Sequence, residues 1–237
     1  MITWRLEVFE ELGSTSDFCV LRARAGEPAG LAVQALKQTS GRGSRGRHWL
    51  APEGNLNLSV LLRPACLAAQ AGTFSLLAGI AVAQALEKFS APRTMLKWPN
   101  DVLLGVAKLA GVLIDAAPAG QHLDWLVIGI GVNLQFAPQI SGRATTALAA
   151  HGVDVSAPAA AAAILAALSA WCDADSHTVQ QAWLARTHPV GTKLEVRTAQ
   201  HTLAGVFAGL SPSGELLLQT KDRIERISTG DVLLGLA

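Results

Sequence analysis

The residues best suited to chemistry lie in a short loop, 38–49, which reads QTSGRGSRGRHW. Glycines alternate there with arginines: Gly41, Gly43 and Gly46 with Arg42, Arg45 and Arg47. Glycine lets a ligand approach the main chain, and arginine offers a planar, permanently charged donor to phosphate or carboxylate oxygens. The loop therefore predicts an anion-binding segment, although a solvated basic turn has the same composition. It is not a Walker A motif, since no Gly-Lys-Ser/Thr follows, nor a dinucleotide-binding turn, which the arginines would crowd.

A second dense stretch, 95–115, reads MLKWPNDVLLGVAKLAGVLID. Its two apolar runs on either side of Gly105 predict a β-hairpin. Turn chemistry alone accounts for the Pro-Asn-Asp sequence that ends in Asn100 and Asp101. It does not account for Lys97 and Lys108 beside apolar strands. A lysine in such a place commonly extends its amine to solvent, so a functional Lys108 is one of two open interpretations.

Small residues in two other segments predict places where a ligand could lie. Gly129 and Gly131 are two apart in a β-rich run and share one face, which leaves a groove, and we expect Asn133 to point the same way. A bulge or tight sheet packing would explain the same glycines. Ser14-Thr15-Ser16 predicts a helix N-cap, and a helix N-terminus also suits a carboxylate or carbonyl oxygen.

Composition excludes several classes of protein. Half of the 237 residues are hydrophobic and 16% are charged, so a sizeable core is available. The net charge of +1 argues against charge-driven binding of nucleic acid. The three cysteines are far apart and odd in number, which favours buried thiols in a reducing compartment. The N-terminus is too acidic for a secretory signal and the longest apolar run is broken by Gln84, so we expect a cytoplasmic protein that spans no membrane.

The remaining chain supplies the elements that must position these residues. Hydrophobic patterns predict an α+β fold with two domains. The larger domain covers residues 1–187, and a small β module covers residues 188–237. We expect residues 141–150 to form a surface segment. The predicted strands cover residues 3–10, 31–36, 55–62, 102–104, 109–114, 123–134, 193–197, 201–208, 215–220 and 224–228. One predicted helix begins near residue 15, and three others run from about residue 73 to 89, 157 to 171 and 176 to 186.

Each motif is weak alone, but their order closely resembles that of biotin protein ligases. The pair formed by GRGSRGRHW and KWPND…KLAG is the specific part, and the resemblance spans nearly the whole chain. It implies a catalytic domain related to class II aminoacyl-tRNA synthetases, a mixed sheet flanked by helices, and an SH3-like C-terminal barrel. It also implies two steps: biotin and MgATP give biotinyl-5′-AMP and pyrophosphate, and the biotinyl group then passes to a lysine of a biotin carboxyl carrier protein.

The resemblance also implies roles for individual residues. Lys108 and Arg42 would be catalytic, and Asp101 would help to hold Mg²⁺. The implied biotin site is Ser14, Thr15, Ser16, Gln38, Arg42, Gly43, Ser44, Lys108, Gly111, Gly129 and Gly131. The implied ATP site is Arg42, Arg45, Arg47, Trp49, Asn100, Asp101 and Asn133.

One position departs from the family pattern. Members often carry arginine where this chain has Ser44, and that arginine is implicated in retaining the adenylate. Either Arg45 replaces it here, or the adenylate is held less tightly. Some members also carry an N-terminal DNA-binding module. We expect no room for such a module before the first motif of this sequence, and we therefore expect no DNA partner.

The competing hypotheses are a lipoate or octanoate ligase or transferase of the same fold lineage, and a non-catalytic adenylate- or RNA-binding module. A homodimer is compatible with the sequence, which leaves the oligomeric state open. It also leaves open the identity of the carrier, for which the acetyl-CoA carboxylase subunit is the natural expectation.

Overall fold

A computed structural model describes residues 2–50, 52–198 and 200–234. These ranges form two sheets and four α-helices, joined by short 3₁₀ turns. In chain order the elements are β1 (Arg5–Leu12), α1 (Thr15–Arg24), β2 (Leu31–Gln38), β3 (Leu56–Leu62), α2 (Ala71–Glu87), β4 (Met95–Lys97), β5 (Asp101–Leu104), β6 (Ala107–Ala119), β7 (His122–Val132), α3 (Ala157–Trp171), α4 (Ser176–Leu184), β8 (Lys193–Arg197), β9 (Thr202–Leu210), β10 (Leu216–Gln219), β11 (Ile224–Ile227) and β12 (Asp231–Leu234).

The larger sheet has seven strands in the order β1-β2-β3-β7-β6-β5-β4. Only β1 and β2 are parallel, and they are the pair that α1 connects. A parallel pair needs such a crossover, whereas the antiparallel neighbours are joined by turns or longer loops. The predicted α+β fold, with a mixed sheet flanked by helices, is therefore confirmed.

The two faces of this sheet carry different cores. Helices α2 and α3 cover one face and build the main hydrophobic core with the inward side chains of β3, β6 and β7. Helix α1 covers part of the other face over a small cluster around Cys19 and Trp125. Because α1 covers only that part, the rest of the face, above β3, β7 and β6, is left for the loop 38–49.

Helix α2 with its preceding turn is, by length and composition, apolar enough to cross a membrane. However, 67% of its apolar window is buried inside the fold, as in the core helix of a globular domain. Burial on nearly every side also explains why its apolar residues do not follow a single stripe.

The second sheet is antiparallel, in the order β11-β10-β9-β8-β12. Its first strand begins at Lys193, beyond the end of α4. The indole nitrogen of Trp98 donates to the carbonyl oxygen of Gly214, between β9 and β10, at 3.0 Å, and this hydrogen bond connects the second sheet to the larger domain. The domain boundary at residues 187/188 and the closure of this sheet into a barrel remain predictions.

Three features of the fold differ from expectation. The strands β4 and β12, of three and four residues, were not predicted. Strand β7 ends at Val132, which removes Asn133 from its alternation. The segment 141–150 is not a plain surface loop: Ala147 and Leu148 are buried, and its main chain bonds to Lys108.

Asn55 fixes the chain that leaves β7. Its side-chain oxygen accepts from the backbone nitrogens of Leu134, Gln135 and Phe136 at 3.0–3.1 Å, and its amide donates to the carbonyl of Phe136 at 2.8 Å. The side chain is buried, so its removal would leave several polar groups without partners.

We expect Asn55→Ala to lower the free energy of unfolding by roughly 2–4 kcal/mol, because each unpaired buried donor costs about 1–3 kcal/mol. Urea denaturation measures this loss. Gln135→Ala is the matched control: it removes one exposed hydrogen bond to Asp154 and should change stability by less than about 0.5 kcal/mol. Equal stability of the two variants would show that the Asn55 contacts do not hold this loop.

Candidate active site

The floor of the site is a patch of the larger sheet that lacks large side chains. The register pairs Asn57 of β3 with Gly131 of β7, and Gly131 in turn with Gly111 of β6. One step along, Ser59 pairs with Gly129. Since side chains alternate between faces, these five residues lie on one face and leave room above it.

The loop 38–49 forms the opposite wall and encloses a cavity. The space that a water molecule can reach inside it is about 100 Å³, and the total empty space is about 760 Å³ when the open solvent at its mouth is included. Its lining includes most of the predicted site residues: Ser14, Thr15, Ser16, Gln38, Arg42, Gly43, Ser44, Arg47, Trp49, Asn100, Lys108, Gly111, Gly129 and Gly131. Residues from five separate segments of the chain thus meet in one place, as predicted.

One end of the cavity is neutral and rich in hydroxyl groups. The carboxamide oxygen of Gln38 accepts from the backbone nitrogen of Thr15 at 2.7 Å and from its hydroxyl at 3.1 Å. The hydroxyls of Thr15 and Ser16 both lie within hydrogen-bonding distance of Ser59, at 2.7 and 3.1 Å. The Gln38 amide donates to Asn57 at 3.2 Å. This network fixes the donors and acceptors before a ligand arrives.

The sequence analysis missed Ser59 and Asn57. Both are polar residues two apart within an otherwise apolar strand, and both are almost completely buried. That spacing puts them on one face, so it was the available signal, but only the register with β7 reveals that they face the glycines.

The other end of the cavity is cationic. The ammonium of Lys108 contacts the carboxylate oxygen Oδ1 of Asp101. A register shift between β5 and β6, at Val102/Leu103, lies beside this pair and alters the pairing of Lys108. The second oxygen of Asp101 lies 3.9 Å from Lys97 Nζ and 3.8 Å from Arg143 Nη1. Burial lowers the pKa of Lys97, with the charge of Asp101 opposing that shift.

Asp101 does not fit the role of a magnesium ligand. Its buried carboxylate is already surrounded by three cationic side chains, which would repel a divalent ion. Among residues 2–50, 52–198 and 200–234, no group of three His, Cys, Asp or Glu side chains is arranged to hold a metal.

The three loop arginines reach different partners. Arg42 binds Asp115 through two hydrogen bonds of 2.9 and 3.3 Å and Asp17 through one of 2.5 Å, and these carboxylates raise the pKa of its guanidinium. Arg47 donates to the hydroxyl of Ser44 at 3.0 Å and lies 3.5 Å from Asp231. Arg42 and Arg47 line the cavity and remain about 40% exposed.

Two predicted site residues are directed elsewhere. Arg45 does not line the cavity; it has a left-handed backbone (φ 61°), and its guanidinium donates to the carbonyl oxygen of Arg197 in the second sheet at 2.9 Å. Asn133 does not reach the glycine groove either. Because β7 ends one residue earlier, the buried Asn133 amide instead donates to the carbonyl of Thr146 at 3.0 Å.

Trp49 lies over the glycine floor. Its indole packs on Gly131 and Gly111, and Lys108 Nζ lies 5.5 Å from the ring centroid. The indole nitrogen is buried and has no hydrogen-bond partner among the residues that the structure describes. The aromatic ring therefore closes the space between the neutral and the cationic end.

Comparison with known proteins assigns this arrangement to a family. Residues 13–133 match the biotin/lipoate A/B protein ligase family, and residues 195–235 match the biotin protein ligase C-terminal domain. The chain belongs to the biotin/lipoate A/B protein ligase family. The first match covers every predicted site residue, and the second covers most of the smaller sheet.

Relatives within the family extend over nearly the whole chain. A biotin--[acetyl-CoA-carboxylase] ligase of Paracoccus denitrificans is 34% identical over 86% of this chain and 90% of its own length. The bifunctional ligase/repressor BirA of Bacillus subtilis is 31% identical over 94% of this chain and 72% of its own length.

Solved structures of the family share the fold. The biotin protein ligase of Aquifex aeolicus in complex with biotin and ATP matches with a TM-score of 0.81 and 27% identity, over 98% of this chain and 99% of that one. The Leishmania major enzyme in complex with biotinyl-5-AMP matches with a TM-score of 0.66 and 28% identity, over 95% and 99%.

The close contact between Trp49 and the glycine floor of this family member can be tested without a ligand. A methyl group added at Gly131 would overlap the indole, so we expect Gly131→Ala to push Trp49 toward solvent. The tryptophan emission should move to longer wavelength, and the shift should vanish in a Trp49→Phe background. Gly13→Ala is the control, since a Cβ there meets nothing within 4 Å. An unchanged emission in Gly131→Ala would contradict this packing.

Proposed function

We propose that this chain is a biotin protein ligase: it activates biotin with ATP to give biotinyl-5′-AMP and pyrophosphate, and it then transfers the biotinyl group to a lysine of a carrier protein. The observation that carries the proposal is a single cavity with a neutral hydroxyl–amide end, a floor of glycines and a cationic end. The three regions, in this order along the cavity, are complementary to a molecule with an uncharged polar head, a flat apolar body and a carboxylate tail.

The neutral end binds the ureido group of biotin. Ser14, Thr15, Ser16 and Gln38 offer hydroxyl and amide groups, and Ser59 and Asn57 hold them in place. Because Gly111, Gly129 and Gly131 have no side chains, the fused rings can lie on this floor when the Trp49 indole, which packs on Gly131 and Gly111, moves aside. A site built of paired neutral groups favours a neutral polar head, whereas the dithiolane of lipoate has no group to satisfy these donors and acceptors.

The cationic end carries the first chemical step. The biotin carboxylate attacks the α-phosphorus of ATP, and pyrophosphate leaves; both partners are anions that repel each other. Lys108 and Arg42 offset this repulsion, and each charge-assisted hydrogen bond is worth about 1.5–3 kcal/mol. The protein supplies positioned charge rather than a nucleophile, which agrees with the chemistry of the lining residues.

Arg47, Trp49 and Asn100 serve the nucleotide side. Trp49 offers a ring on which the adenine stacks, and Asn100 lies beside Val112 at the edge of the floor. Magnesium enters with ATP as the MgATP substrate. The carrier is a biotin carboxyl carrier protein. The reaction is cytoplasmic, and the buried thiol of Cys19 agrees with a reducing compartment: burial raises its pKa to about 12, as expected of an unreactive core residue.

Pyrophosphate release on mixing with ATP and biotin tests this function directly. We expect release with biotin and none with lipoate, and transfer of label to a carrier domain. We expect Lys108→Ala to bind biotin more weakly and to lose at least about 100-fold in rate, as when one transition-state donor is removed. Lys37→Ala is the control, because Lys37 pairs with Glu11 away from the cavity.

Release with lipoate alone would favour the lipoate ligase hypothesis, and binding of ATP without turnover would favour a non-catalytic module. Normal carrier labelling by Lys108→Ala would show that another cation carries the step.

Ser44 bears on how well the adenylate is retained. Its hydroxyl accepts from Arg47, and Arg45, the candidate replacement for the missing arginine, is directed to the second sheet instead. This geometry supports weaker retention. We expect biotinyl-5′-AMP to dissociate more slowly from Ser44→Arg than from the parent, by roughly 10-fold for one added charge-assisted contact.

Stopped-flow measurement of adenylate release, with a trap for the free adenylate, checks this. Ser90→Arg, at a surface position outside the cavity, controls for the added charge. Equal dissociation rates in Ser44→Arg and the parent would refute the idea.

A further inference from the structure

Arg143 is an arginine of the cavity that the sequence analysis did not identify. It lies in the segment 141–150, and its side chain lines the cavity beside Arg47 and Lys108. The guanidinium is only 20% exposed, which is unusual for an arginine on a plain surface loop.

The backbone around Arg143 is fixed to the strand that carries Lys108. The amide of Lys108 donates to the carbonyl of Ala144 at 2.9 Å, and the amide of Thr146 donates back to the carbonyl of Lys108 at 3.0 Å. Asn133, buried at the end of β7, donates to the carbonyl of Thr146. The position of Arg143 is therefore set by the strand that carries Lys108.

The side chain of Arg143 lies between two carboxylates from different parts of the fold. It binds Asp231 of β12 at 2.7 Å through Nη2, and it lies 3.8 Å from Asp101 through Nη1. Asp101 in turn contacts Lys108, and Asp231 lies 3.5 Å from Arg47. One continuous ionic chain thus runs from the second sheet to the cationic end of the cavity.

This chain affects how strongly Asp101 holds Lys108. With Lys97 and Arg143 both near its second oxygen, the carboxylate shares its negative charge among three cations. If the charge of Arg143 were absent, Asp101 would attract the ammonium of Lys108 more strongly, because the pair is buried and screened little by solvent. An anionic ligand would then compete less well for Lys108.

We propose that Arg143 is a positioning residue for the ligase reaction: it neutralises Asp101 so that Lys108 stays available to the anionic substrates, and its bond to Asp231 makes this depend on the second sheet. The inference rests on the proposed function, since Lys108 matters only if an anion reacts there. It adds a residue and a dependence on β12 that the reaction scheme alone does not contain.

The experiment measures pyrophosphate release at varied biotin and ATP in full-length variants. Arg143→Gln removes both the positive charge and the guanidinium group, and Arg143→Lys keeps the charge. Asp231→Asn removes the negative charge of the partner in β12. We expect Arg143→Gln to raise the KM for biotin and to lower kcat/KM by about tenfold or more, the effect of one lost ionic contact. Arg143→Lys should recover most of this loss. Asp231→Asn should act in the same direction, and the double variant should fall no further than Arg143→Gln, because coupled residues are not additive.

Arg186→Gln is the matched control for a structural role. Arg186 forms a two-point ion pair with Glu87 at 2.7 and 3.0 Å and is similarly buried, but it lies outside the cavity. It should lose stability in a thermal melt without a change in KM for biotin. Production of biotinyl-5′-AMP by the parent protein tests the proposed function separately from the Arg143 variants.

The proposal is overturned if folded Arg143→Gln keeps the parent kcat/KM, if Arg143→Lys is as impaired as Arg143→Gln, or if the Arg143 and Asp231 losses simply add. Should Arg143→Gln fail to fold, Arg143→Lys and Asp231→Asn decide it on the same criteria: full activity in Asp231→Asn overturns the dependence on the second sheet.

Discussion

The register of three central strands is the constraint on which the site depends. It aligns Asn57, Gly131 and Gly111 in one row across β3, β7 and β6, and Ser59 with Gly129 in the next. A slip by one residue would turn the large apolar side chains of β7 toward the cavity and the glycines toward the core. Such a slip is strongly opposed, because Ile128 and Ile130 are almost fully buried in the core on the other face. The hydrophobic core thus helps to fix the shape of the site, and two of its members, Val112 and Ile130, also line the cavity.

A neutral end and a cationic end within one cavity need different kinds of support. The hydroxyl network is satisfied by its own members, so it stays in place without a ligand. The cations cannot satisfy one another, and each is held by a carboxylate: Arg42 by Asp115, Arg47 by Asp231 and Lys108 by Asp101. These carboxylates keep charged side chains in position, and an anionic ligand can replace or join them at a modest electrostatic cost.

The sequence predicted the parts of this structure that depend on local pattern. The glycine–arginine loop, the Lys97–Lys108 hairpin and most helices followed from spacing and turn chemistry, and the order of motifs indicated the family. It did not predict partners that only the tertiary fold brings together. Asp17, Asp115 and Asp231 carry no local signal of function, and Arg143 lies in a segment that resembles an ordinary loop. Asn133 shows the opposite error: it was expected to continue the alternation of β7, but the strand ends one residue earlier and the amide bonds to the carbonyl of Thr146.

The loop 38–49 illustrates why a flexible, glycine-rich segment needs contacts to several elements. Glycine raises the entropy that must be lost when such a loop becomes ordered. Arg42 bonds to a carboxylate on β6, Arg45 to a backbone carbonyl at the end of β8 and Arg47 to Ser44 within the loop, with Asp231 of β12 nearby. The loop is therefore fixed between the two sheets, although no described residue of the second sheet lines the cavity itself. A rearrangement of that sheet would change the position of the loop cations, and with it the electrostatic environment in which the two anionic substrates meet.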